Sequence, residues 1–72
     1  MSVQAALADE PLVVSPRRAQ QMLDIGHSRL YELLSAGELQ SFKDGKSRKI
    51  VVASIQNYVA RKLAANQAGL SR

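Results

Sequence analysis

The chain contains no cysteine, which excludes disulfide bridges and thiolate metal sites and leaves no sign of export to an oxidising compartment. Its histidine content is a single residue, His27, and one imidazole with no second ligand of metal type beside it does not make a zinc site. Long apolar runs are also missing. Leu12 to Val14 and Ile50 to Ala53 fall far short of the roughly 20 residues that a membrane-spanning helix needs. The first residues carry neither a basic leader nor an apolar core segment, so the expectation is no secretory signal and a cytoplasmic setting. No cofactor, metal, membrane or small-molecule substrate is expected.

What the chain does have is positive charge. Ten Lys and Arg stand against six Asp and Glu in 72 residues, a formal charge of +4 and a pI near 10.0. A polyanion is the natural partner for such an imbalance. The charge is also uneven, because residues 43 to 49 hold Lys43, Lys46, Arg48 and Lys49 against only Asp44. With 46% hydrophobic residues the chain falls in the globular class. Its length corresponds to one domain, near the size at which a single core just outweighs the entropy of ordering the chain.

Residues 1–10 are small and polar with little to pack, and read as a flexible N-terminal tail. Leu12-Val13-Val14 reads as a short edge strand. Ser15-Pro16 is a helix start: the Ser hydroxyl accepts from first-turn amides, and Pro at the first helical position loses no needed donor. Ala19, Met22 and Leu23 follow at helical spacing as a buried stripe. Asp24-Ile25-Gly26 breaks that helix, and a second runs from His27 to Ala36 with Leu30, Leu33 and Leu34 on its apolar face. Gly37 ends it.

Leu39 to Lys43 and Lys46 to Val51 flank Asp44-Gly45, a strong hairpin pattern when both turn residues accept positive φ. That register sets Lys43 opposite Lys46, an unfavourable pair of like charges unless an anion lies nearby. A third helix from about Ala53 to Ala64 is marked by Ile55, Tyr58, Val59 and Leu63, with Arg61 and Lys62 near its negative end. Residues 65–72 include Gly69 and few anchors, and read as a flexible C-terminal tail. The domain proper is therefore expected over residues 11–64. Phe42 and Tyr58 are assigned to the core.

The fold class this implies is mostly α with a small β-hairpin: three short helices, a two-stranded wing and a possible short N-terminal strand. Two helices joined by a tight turn and followed by a cationic hairpin suit a duplex, since a helix fits the major groove and a ribbon can follow the backbone or enter the minor groove. Residues 16 to 59 resemble the excisionase-type winged helix-turn-helix domain, related to the N-terminal domains of MerR-type regulators. The resemblance is carried by Arg18-Ala19 through Leu23, Asp24-Ile25-Gly26, His27-Ser28-Arg29-Leu30-Tyr31, Ala36-Gly37-Glu38-Leu39, Gly45, Ile50, and Ile55 to Val59. It departs from the family's usual pattern at Arg17 and Arg18, Gln40, Asp44 and Lys49.

The resemblance implies a non-enzymatic DNA-binding protein of the bacterial cytoplasm, associated with the nucleoid, whose second helix reads bases while its tyrosine reaches a phosphate. The periodicity agrees on the helix. His27, Ser28, Arg29 and Glu32 lie on or beside the side opposite the leucines, and Arg29 is the leading reader because an arginine can bond guanine N7 and O6 together. Tyr31 is balanced between contact and core. Glu32 suits a cytosine amino group, a role as a negative filter or plain solvation. Lys43, Lys46, Ser47 and Arg48 form the wing contacts, and Arg17 and Arg18 open the first helix near its amide-rich end. Catalysis is not expected, because Ser28 and Asp24 do not point towards His27 as a nucleophile and an orienting carboxylate would. The family further implies an integrase or recombinase as protein partner, and the small surface of one such module implies self-association on DNA.

Overall fold

In the computed structural model, residues 11–70 are described, with side chains through residue 67. The expected N-terminal tail, residues 1–10, lies outside the described residues, as do residues 71 and 72. Six elements follow in order: β1 (Val13–Val14), α1 (Pro16–Leu23), α2 (His27–Ser35), β2 (Ser41–Asp44), β3 (Ser47–Val51) and α3 (Val52–Leu70). The strands make one antiparallel sheet in the order β1-β3-β2, so the short N-terminal strand joins the wing. Three helices with this small sheet bear out the expected fold class.

The local reasons are visible at each junction. Ser15 is extended, and its Oγ accepts from the Arg18 amide at 3.1 Å, a cap whose removal typically costs about 1 kcal/mol. The turn after α1 is made by Asp24, with φ 57°, one of the few non-glycine types that tolerates the left-handed region. Gly26 caps α2 with an extended backbone. Gly37, at φ 78°, follows the last turn of α2 and lets the Glu38 amide donate back to the Leu33 carbonyl at 2.9 Å, the usual way a glycine closes a helix.

The hairpin corrects the expected register by one residue on each strand. Asp44 pairs with Ser47, Lys43 with Arg48, Phe42 with Lys49 and Ser41 with Ile50. The turn is thus Gly45-Lys46, and Gly45 alone of the pair has positive φ, 66°. Glycine at the first central position with an ordinary second residue follows the type II′ rule. Lys43 does not face Lys46, but it still faces a cation, Arg48.

Leu30 and Ile50 are fully buried, with Ala19, Leu33, Leu39, Ile55 and Val14 around them. Each large side chain removed from water contributes roughly 1.5–3 kcal/mol. Ala19 lies where α1 meets α2 and the sheet, and its small side chain is wholly enclosed. Met22 does not belong to this core: it is 41% exposed, because two turns of helix leave Ala19 and Leu23 to fill the inward face. Phe42, 48% exposed, is a second correction. It pairs with Lys49 while its neighbour Ser41 pairs with buried Ile50, so pleat alternation turns it to the other face of the sheet.

The third helix outruns its expected end at Ala64 and continues to Leu70. Ala64, Ala65 and Gln67 are good helix formers, and no proline interrupts them. The C-terminal segment is therefore helical through Leu70, and Arg61 and Lys62 sit in mid-helix, not at its negative end. Val59 and Leu63, expected on the buried face with Ile55, are exposed and line an open groove with Leu23, Ile25 and Tyr58.

Among the described residues, Ser54 is the buried polar side chain, 7% exposed. Its hydroxyl donates to the Val51 carbonyl at 2.7 Å and accepts from the Gln40 amide at 3.0 Å. Both capacities are used, as a buried hydroxyl requires.

Candidate nucleic-acid interface

α2 turns its leucines inward, which leaves the opposite side of the helix to polar residues. A shallow open groove there is lined by His27, Ser28, Tyr31, Glu32, Ser35 and Ala36. A second concavity, lined by Tyr31, Leu34, Ser35, Ser41 and Arg48, carries the surface from the helix onto the hairpin. Tyr31 and Ser35 belong to both. The two depressions are therefore one surface that crosses from α2 to the wing.

Within that surface the side chains are held, not loose. Tyr31 is half-buried, packs against the core and stacks at a tilt on His27, ring centroids 4.6 Å apart. It serves core and groove together. Arg48 Nη1 donates to Ser41 Oγ across the hairpin at 2.8 Å, which fixes the guanidinium at the concavity wall. Lys43 shares its face by direct pairing with Arg48, and Lys46 stands exposed in the turn at the wing tip.

Arg29 is exposed on α2 and lines neither concavity. Its Nη1 donates to Glu32 Oε1 at 3.1 Å. The hydrogen bond to Glu32 first, and the nearness of the Tyr58 hydroxyl next, raise the Arg29 pKa above its ordinary value. Arg29 is thus a permanent cation, tethered to its own helix by Glu32. An exposed pair of this i, i+3 kind is screened by solvent and weak, so a better acceptor can displace it.

The remaining expected residues fall elsewhere. Ser47 pairs with Asp44 and by alternation shares the outer sheet face with Lys49 and Phe42, not the face of Arg48. Arg17 and Arg18 are exposed at the start of α1 and line neither concavity; Arg18 Nη1 donates to Gln21 Oε1 at 3.3 Å. Ser35, Leu34 and Ser41 were not anticipated. Ser35 was within reach of the sequence, being one turn beyond Tyr31 on the same side of a helix, and so was Ser41, which shares a sheet face with Arg48 in the expected register as in the observed one.

Two short helices in a tight turn, then an antiparallel hairpin backed by a third helix, define a winged helix-turn-helix domain. The chain is distantly homologous to a curated protein named "Probable excisionase" from Saccharopolyspora erythraea, 30% identical over 57 residues, which cover 79% of this chain and 58% of that protein. It thus spans somewhat over half the length of that relative. No family model and no solved structure matches the chain. No helix among the described residues is long and apolar enough to cross a membrane.

Proposed function

We propose that the chain is a non-catalytic, excisionase-type DNA-binding protein that binds and bends attachment-site DNA and so steers an integrase towards excision. The observation that carries this reading is that two concavities sharing Tyr31 and Ser35 run from the polar side of α2 to Ser41 and Arg48 on the wing. The homology to a protein named as a probable excisionase supports it. In this reading α2 enters the major groove, with His27, Ser28, Arg29, Tyr31 and Glu32 at base edges and phosphates. Lys43, Lys46 and Arg48 follow the adjoining backbone, Ser47 adds a hydroxyl contact from the outer face of the wing, and Arg17 and Arg18 add phosphate contacts from α1. One winged module buries only about 600–1,000 Å² on DNA, so cooperative binding of several copies, or of the recombinase, supplies the remaining affinity.

A mobility-shift titration on the protein's neighbouring genomic DNA at two salt concentrations tests the reading. Affinity should fall with a log-log slope of about −0.9 per phosphate contacted. A response flat in salt excludes DNA as the partner.

One observation favours a second reading, a small transcriptional regulator. Val59 and Leu63 lie exposed on α3, a stripe suited to pairing with another copy. Footprinting separates the two: tandem, phased sites with bending belong to an excisionase, and a single palindrome over a promoter belongs to a dimeric regulator.

A further inference from the structure

The segment that links α2 to the wing, residues 36–40, is held from outside by α3. At its midpoint, Arg61 Nη2 donates both to the Glu38 carbonyl at 3.1 Å and to Glu38 Oε1 at 2.8 Å. At its end, the Gln40 amide donates to Ser54 Oγ at 3.0 Å, while the same hydroxyl donates to the Val51 carbonyl at 2.7 Å. The Val51 amide returns to the Gln40 carbonyl at 2.9 Å. Between the two anchors Leu39 is buried in the core. Gly37, Glu38, Gln40, Ser54, Asn57 and Arg61 meet around one small polar cleft, on neither of the two concavities described above.

We propose that Ser54 and Arg61 are positioning residues for the interface: they fix the wing against α2, so that α3 sets the spacing at which the two meet a duplex. The inference rests on DNA being the partner. A hairpin joined to a helix through a glycine at positive φ has freedom at that joint. The shared core of Leu30, Leu39 and Ile50 limits that freedom, and a network that spans the joint with one guanidinium and one buried hydroxyl limits it further. Neither side chain lines the proposed contact surface, so their effect on binding is indirect. If only a fraction of molecules holds the competent angle, apparent affinity falls by that fraction. The phosphates contacted in the bound state, and hence the salt slope, stay the same.

The test uses Arg61→Gln, Ser54→Ala and the conservative Ser54→Thr in the full chain, with two readouts. In the free protein, amide residual dipolar couplings of residues 27–35 and 41–51 should fit one alignment frame in the wild type and need two in Arg61→Gln and Ser54→Ala. On DNA, the same two variants should lose about tenfold in affinity with the salt slope unchanged, and Ser54→Thr should restore it. If Ser54→Ala proves too unstable to measure, Arg61→Gln, which alters an exposed pair, carries the test alone. A slope reduced by about one makes Arg61 a phosphate contact itself and overturns the proposal. Couplings that stay in one frame in Arg61→Gln overturn it too. Wild-type protein that shows no salt-dependent binding defeats the DNA reading instead, and the couplings still decide whether the anchors hold the joint.

Discussion

Tyr31 on α2 and Arg48 on β3 line the same concavity, with Ser35 and Ser41 between them. Tyr31 is held by the core and by His27, and Arg48 by its hydrogen bond to Ser41. The surface they share is therefore built before any ligand arrives. Preorganised donors lose less freedom on binding than loose ones. Arg48→Ala should weaken binding to every duplex alike and lower the magnitude of the salt slope by about one, read by mobility shift at several salt concentrations.

Arg29→Ala should behave differently. Its ion pair with Glu32 is exposed, so thermal unfolding should move little. Loss of a bidentate base contact should cost about 1–3 kcal/mol on the preferred site and relax preference at one base position. Competition between cognate and scrambled duplexes measures this, and an unchanged cognate preference removes Arg29 as a reader.

Lys46 stands at the wing tip and makes no hydrogen bond or ion pair among the described residues. Lys46→Ala should leave the melting curve in place, weaken all sequences equally and take about 0.9 from the salt slope. A change in preference between sequences would instead make it a reader of base or groove shape.

Gly45 tests the hairpin itself. A Cβ there meets open space, yet φ is 66°, so Gly45→Ala should destabilise through backbone strain alone, by about 1–2 kcal/mol. Chemical denaturation checks the magnitude. Leu30→Ala, which empties a fully buried site in the middle of the core, should cost more, about 2–5 kcal/mol.

Much of this architecture can be read from local chemistry. Ser15-Pro16 states a helix start and the Ser15 hydroxyl caps it; Gly37 states a helix end and takes the positive φ that requires one. The alternation of Leu30 and Leu33 with Ser28 and Glu32 divides α2 into a buried and an open side. The misreadings have physical reasons. Asp44-Gly45 has the composition of a type I′ turn, but Ile50 pairs with Ser41 in the native register, which keeps Asp44 in the strand and moves the turn to Gly45-Lys46. Phe42 was assigned inward on its residue type, although its position next to Ser41 already turns it away from Ile50. Position on the pleat decided, not hydrophobicity.

Residues whose role depends on tertiary approach were not legible. Nothing local in Ser54 or Arg61 reveals that the segment after α2 folds against them, because their partners, Gln40 and Glu38, lie 14 and 23 residues away. The length of α3 was also obscured, since Ala, Asn and Gln between residues 64 and 67 carry no apolar periodicity and continue the helix on propensity alone.

The most direct measurement is an NMR titration of the labelled chain with a duplex from its own genomic neighbourhood. Signals of His27, Ser28, Tyr31, Glu32 and Ser35 should shift together with those of Lys43, Lys46 and Arg48, along one binding curve, while Val59 and Leu63 stay in place. Shifts confined to the hairpin, or centred on Val59 and Leu63 with α2 unmoved, contradict a single helix-and-wing surface for the double helix.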